Sequence, residues 1–267
     1  MQPMPLSDTA PPLLASPLLG PDEPAAFRIA HAHGAAPVLL VCDHATNRVP
    51  RALGNLGLPD SELARHIGWD IGAAAVTEGM ANRLDAPAVL SGYSRLVVDV
   101  NRRLDHPTLM PEVSDGTTVP GNRDLDPANR QRRLDALFHP YHRAIRARLD
   151  GFAARGVAPS LISVHSFTPC MAGVARPWHV GVLWNRDPRI AVPLLDALRA
   201  EGDLVVGDNE PYSARGALGY TLQAHGEADG LPTVMLEIRQ DLIDTDPAAD
   251  AWADRLTRLL RPILAAL

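Results

Sequence analysis

Pro37-Val38-Leu39-Leu40-Val41-Cys42-Asp43-His44 is an apolar run of strand length that breaks abruptly into an acid and a histidine. A strand that faced water on one side would alternate apolar and polar residues. Unbroken Val and Leu predict a strand buried on both faces, as in a largely parallel sheet. The same texture recurs at 86–92 (APAVLSG), 96–100 (LVVDV), 160–167 (SLISVHSF), 179–184 (HVGVLW) and 233–238 (TVMLEI).

Between these runs the period changes. In 127–152, Leu134, Leu137, Phe138, Tyr141, Ile145, Leu149 and Phe152 recur at steps of three and four, which predicts a helix with one buried face. The stretch 61–84 repeats the pattern with Leu63, Ile67, Ile71, Ala74 and Met80, and Ser61 suits its N-cap. A terminal helix near 249–267 carries Trp252, Leu256, Leu259, Leu260 and Ile263, and Pro262 is expected to kink it or end its regular part. Strands alternating with helices predict an α/β fold, a three-layer sandwich with helices on both faces of the sheet. The Gly- and Pro-containing segment 105–127 reads as a long loop, and loops of that length commonly serve function.

The chain of 267 residues is 46% apolar, which suffices for a single domain over 27–267 without any covalent staple. Residues 1–26, rich in Pro and Ala and lacking a basic start before an apolar core, read as a disordered or loosely attached leader. Two cysteines are too few for a disulfide framework and fit a reducing, cytoplasmic setting. Cys42, inside an apolar run, reads as a buried, inert thiol. No apolar run approaches a membrane span. The formal charge of −6 argues against a nucleic-acid surface. Every one of the 25 basic residues is arginine, so Schiff-base chemistry and a phosphate-loop lysine are excluded.

Ligands of open α/β sheets gather at the carboxyl ends of strands. Those ends here carry Asp43-His44, Tyr93-Ser94-Arg95, Asp99-Val100-Asn101-Arg102, His165-Ser166 and Glu237. Histidines on separate strands suit zinc, which takes imidazole and carboxylate and keeps a position open for water. Glu237 is the candidate to take a proton from that water, and the arginines would bind an anionic substrate. Each residue also has a plainer reading: His44 and His165 as hydrogen-bonded structural residues, Arg102 as a surface ion pair. Asp70, between Gly68 and Gly72, is either a structural acid or a metal ligand.

The ordered stretches VCDHATNRVP (41–50), HIGWDIGAAAV (66–76), SGYSRLVVDVNRRL (91–104), SDGTTVPGN (114–122), PYH (140–142), LISVHSFTP (161–169), GVLWNRD (181–187), VGDNEPYS (206–213), YTLQAHG (220–226) and LEIRQDLI (236–243) resemble the N-formylglutamate amidohydrolase family, in its shorter branch. That resemblance implies a fold like the zinc carboxypeptidases, with a mixed sheet of about eight strands. It implies hydrolysis of an N-formyl or other N-acyl amide on a small acidic amino acid, with one divalent ion, zinc, as cofactor. Carried over, His44 and His165 look like metal ligands and Glu237 like the general base. Asn101 and Arg102 resemble the pair that holds a substrate α-carboxylate. Arg95 falls where a second arginine would face the scissile carbonyl or another carboxylate. The carboxypeptidases place a glutamate three residues after the first histidine, where this chain has Asn47, so Asp70 is the expected second ligand. A metallocarboxypeptidase-like hydrolase of peptides or cell-wall fragments and a non-catalytic anion-binding relative are the alternatives. The partner expected is a small anionic substrate, with no nucleic acid or membrane; a homo-oligomer stays open.

Overall fold

The computed structural model describes residues 17–215 and 219–267. Eleven strands occur among them: β1 (Phe27–Ala30), β2 (Val38–Cys42), β3 (Ala88–Ser91), β4 (Val113–Ser114), β5 (Thr117–Thr118), β6 (Ser160–Phe167), β7 (Cys170–Met171), β8 (Val174–Ala175), β9 (Val180–Leu183), β10 (Val206–Asp208) and β11 (Thr233–Arg239). The helices are α1 (Asp60–Leu63), α2 (Ala73–Leu84), α3 (Pro127–Arg133), α4 (His139–Ala153), α5 (Pro188–Ala200), α6 (Tyr220–His225) and α7 (Asp246–Ala265). Seven strands form the central sheet in the order β1-β3-β2-β6-β11-β9-β10, and β4-β5 and β7-β8 are two separate hairpins. The sheet is mixed and mostly parallel: β1 runs against β3 and β9 against β11, while the other pairs are parallel. Seven strands replace the eight expected.

The helices divide into two layers. Leu39, Val41, Leu161 and Met235 pack under the helical stretch that includes Leu134, Tyr141, Ile145 and Phe152. Leu40, Cys42, Ile162, Val164, Leu236 and Ile238 face the opposite way, toward α2, α5 and α7. Successive residues of a strand point to opposite faces, so β2, β6 and β11 carry apolar residues on both faces. That is why their sequences do not alternate.

Three helical expectations change in detail. The stretch 61–84 is not one helix: α1 ends at Leu63 and α2 begins at Ala73. Gly72 adopts φ +79°, and a Cβ there would lie 2.1 Å from the Ile243 carbonyl oxygen. A Cβ on Gly68 would lie 2.3 Å from the Leu63 oxygen. Ser61 accordingly lies inside α1 and is not the cap of a long helix. The 127–152 helix is continuous but contains a π-turn at Leu134–Phe138 just before Pro140, which has no N–H for the regular ladder. The terminal helix starts earlier, where the Thr245 hydroxyl accepts from Ala248 N, and it runs past Pro262 to Ala265.

The segment 96–100 is buried but is not a strand. The edge of β3 that it would need is taken by β1, and its backbone instead bonds loops, as Asp99 N does to Leu109 O at 2.8 Å. Of the leader expected over 1–26, residues 1–16 lie outside the described part. From there on Leu18 is buried in the core, and the Tyr93 hydroxyl donates to Pro24 O at 2.7 Å. No helix among the described residues is long and apolar enough to cross a membrane.

Candidate active site

The alternation that splits the core also aims the chemistry. On β6, Leu161, Ser163 and His165 share a face, and on β11 Met235 and Glu237 share the same one. The parallel register sets Glu237 directly beside His165. Asp43 continues the corresponding face of β2, and His44 follows it at the strand end. Asp70 arrives from the break between α1 and α2, where its backbone N donates to His44 O at 2.9 Å. The two glycines that end the helical path are thus what turns this carboxylate inward.

His44, Asp70 and His165 are all buried, and one ligand atom from each lies within 4.8 Å of the others. Asp70 Oδ2 stands 3.2 Å from His44 Nδ1 and 2.8 Å from His165 Nδ1. The far side of each ring also meets a carboxylate: His44 Nε2 lies 2.7 Å from Asp99 Oδ1, and His165 Nε2 lies 3.0 Å from Asp43 Oδ2. An ionised carboxylate only accepts, so each Nε2 carries the hydrogen. Two arrangements then satisfy Asp70: imidazolium rings donating from both nitrogens, or a cation held between neutral Nδ1 lone pairs and the carboxylate. The set of two imidazoles and one carboxylate is one that zinc takes, and carboxylates behind ligating histidines fix their tautomer and raise their basicity. The residues therefore fit a divalent metal.

Asp43 is deeply integrated. Burial works to raise its pKa, but His165 and the Thr221 hydroxyl outweigh that and hold it at about 2. Its oxygens accept from Tyr141 Oη at 2.9 Å, Thr221 Oγ1 at 2.7 Å and Ser163 Oγ at 3.1 Å besides His165. Burial likewise opposes ionisation of Asp70, yet the two histidines hold it well below the usual carboxylate range. His165 shows the reverse balance: burial disfavours its charge, and its bonds to Asp43 and Asp70 lift it well above the ordinary histidine value. Glu237 differs from all of these. Burial pushes its pKa up to about 8 against the pull of His165, and its Oε2 is buried with no hydrogen-bond partner among the described residues.

A cavity of about 310 Å³ opens over these groups. His44, Asp70, His165, Glu237, Arg95, Asn101 and Arg102 all line it, so the structure brings every expected site residue to one place. Asn47 does not line it, and Asp70 completes the donor group instead. Arg95 is less free than its sequence suggests: Nε and Nη2 both bond Asp99 Oδ2, at 3.2 and 2.9 Å, and Nη1 lies 3.6 Å from Asp70 Oδ1. Asn101 Oδ1 accepts from Thr221 N at 3.0 Å, which leaves its amide nitrogen for a ligand. Arg102 Nε reaches Thr108 Oγ1 at 3.3 Å and stands 3.9 Å from Asp99. Cys42 is fully buried, and burial drives its thiol pKa far up, as an inert thiol requires.

Sequence reasoning gives no role to several residues that the fold places here. Asp43 and Asp99 sit beside the expected residues in VCDHATNRVP and SRLVVDVNRRL, but nothing in the sequence shows that they back the two histidines. Tyr212, in VGDNEPYS, lines the cavity. Its hydroxyl accepts from Arg176 Nη1 at 2.8 Å and donates to Met171 Sδ at 3.9 Å. His66 also lines the cavity, and burial lowers its pKa to about 4 despite Asp70 nearby.

Residues 36–244 match the family model for N-formylglutamate amidohydrolase. Among solved structures, a gene product of Agrobacterium tumefaciens is similar over 93% of this chain and 98% of its own, with 36% identity and a TM-score of 0.90. The N-formylglutamate amidohydrolase of Ralstonia eutropha is similar over 91% of this chain and 98% of its own, with 20% identity and a TM-score of 0.71. No curated protein matches the chain.

Proposed function

Since the chain belongs to the N-formylglutamate amidohydrolase family, we propose that it hydrolyses the amide bond of a small N-acyl acidic amino acid such as N-formyl-glutamate, releasing formate and the amino acid. His44, Asp70 and His165 would hold one divalent ion, zinc by its donor set. Bound there, such an ion polarises the amide carbonyl and makes water acidic enough to attack near neutral pH.

Glu237 takes the proton of the attacking water as the new C–O bond forms. It returns that proton to the amide nitrogen as the C–N bond breaks, and the amine leaves. A buried carboxyl oxygen with no other hydrogen-bond partner among the described residues, set beside His165 by the strand register, is free to make both transfers. Arg102 and the Asn101 amide bind the substrate's α-carboxylate, the guanidinium through paired N–H donors. Arg95, aligned by Asp99, presents Nη1 toward the oxygen on which charge develops. Asp43 and Asp99 keep the two imidazoles in one tautomer and one orientation. The single domain over 27–267 and a reducing cytoplasm belong to the same reading; the second is supported by two cysteines that are both free.

The observation that carries this reading is the register pair His165–Glu237, which puts an unpartnered buried carboxyl beside the His–Asp–His group. The test is metal content by mass spectrometry together with formate release from N-formyl-glutamate. About one divalent ion per chain and formate production are expected. Metal-free protein that still cleaves the substrate, or metal-loaded protein inert to a panel of N-acyl amino acids, would overturn it.

A further inference from the structure

The histidines of PYH (140–142) and YTLQAHG (220–226) take no part in the chemistry above, yet His225 is buried and His142 partly buried, and the two are bonded to each other. His142 belongs to α4 and His225 to α6. Their rings stack, with centroids 5.1 Å apart and planes 19° from parallel. The direction of their hydrogen bonds follows from one end. His142 Nε2 lies 2.9 Å from Val100 O, and a carbonyl can only accept, so Nε2 carries the hydrogen. In the neutral ring Nδ1 is then bare, and it accepts from His225 Nε2 at 2.8 Å. His225 Nδ1 is left buried with no partner among the described residues. An unsatisfied buried acceptor is destabilising, so stability alone does not account for the pair.

The groups joined at either end explain it better. Val100, gripped by His142, immediately precedes Asn101. His225 anchors α6, which is only six residues long and carries Thr221. Thr221 N holds the Asn101 side-chain oxygen, and its hydroxyl holds Asp43 at 2.7 Å. Asn101 is thus fixed by His142 through the backbone before it and by His225 through the helix that grips its side chain.

We propose that His142 and His225 are a positioning pair that sets Asn101 for the substrate's carboxylate. This rests on the reading that Asn101 binds substrate. The experiment is a double-mutant cycle on the metal-loaded enzyme with N-formyl-glutamate. His225→Leu should raise KM roughly tenfold, the scale of one lost hydrogen bond, with kcat within about threefold. In an Asn101→Ala background the same change should add almost nothing, because coupled residues are non-additive. His225→Gln, which restores an N–H donor near Nε2, should bring KM back to within about threefold of wild type. If His225→Leu does not fold, His142→Leu, which removes both the donor to Val100 and the acceptor for His225, carries the same cycle. Additive effects on KM, or a glutamine as damaging as the leucine, overturn the positioning role alone. An Asn101→Ala enzyme with unchanged KM overturns the carboxylate reading as well, so the two failures are distinct.

Discussion

Glu237 stands among the apolar residues Val234, Met235, Leu236 and Ile238 of its strand, and its Oε2 is given no partner. Burying such a group without a hydrogen bond is destabilising, a cost that the proposed proton transfer would account for. Glu237→Gln preserves shape and removes the proton acceptor. It should lower turnover 10²–10⁴-fold, roughly the range for a positioned general base, with metal content and KM little changed. Steady-state kinetics at wild-type turnover would assign the base to another residue. His44→Ala and His165→Ala should each lose the ion, and mass spectrometry showing full metal in both would displace the site. Arg102→Lys keeps the charge but not the planar fork. Its kcat/KM should fall on substrates with a free α-carboxylate and change little on the amidated analogue. An equal loss on both would make Arg102 structural.

At the scale of elements, the break between α1 and α2 matters most, because it delivers Asp70. Gly72→Ala forces a side chain against the Ile243 backbone at a positive φ, so α2 must shift. A loss of more than ~1 kcal/mol in stability is expected, with weaker metal binding, measurable by denaturant unfolding and chelator competition. Unchanged metal affinity in that variant would mean that Asp70 does not depend on the break. The contact between α4 and α6 makes a second prediction. Burial lowers His142 and His225 to about 4, helped at His142 by His225 and His139 and at His225 by Arg146, against Asp43 and Asp229. Their unfolded value is about 6.5, so the unfolded chain binds more protons between those limits. Stability is therefore full above about pH 6.5 and falls as the pH drops toward 4, by at most about 3 kcal/mol for each ring. Unfolding free energies from pH 7 to 4 should show this loss, and His225→Gln should reduce it. A slope that is identical in the variant would refute the assignment.

Across the whole molecule, the segment 105–127 closes one side of the cavity. Its β4-β5 hairpin contributes Val113, Ser114 and Asp115 to the wall, and Arg65 ties it down through Asp115 at 2.8 Å and Thr117 at 2.7 Å. On the proposed function, a wall so anchored would restrict the site to small ligands and keep bulk water from the reacting amide. N-formyl-glutamate should be hydrolysed and long peptides ending in glutamate should not, while a chain with the hairpin shortened should gain some peptide cleavage. Efficient peptide cleavage by the intact protein would favour the carboxypeptidase alternative. How much of this was legible beforehand depends on range. Strand runs such as 160–167, the helix around Tyr141 and the candidates His44, His165 and Glu237 are readable in the sequence, because burial on two faces and polar strand ends leave marks within a few neighbouring residues. The broken helix at Gly68–Gly72 left only an ambiguous mark, since a glycine's clash partner, Ile243, lies far along the chain. The 96–100 run misled, because an apolar segment can be buried without an edge to pair with. What tertiary structure alone decided is partnership: that Asp43 and Asp99 back the histidines, that Arg95 is committed to Asp99, that Asp70 stands in the group and Asn47 outside it, and that two distant histidines clasp Val100 and α6. Apart from the local Arg95–Asp99 pair, hydrogen bonds of that kind join residues tens to more than a hundred positions apart, and no local pattern records them.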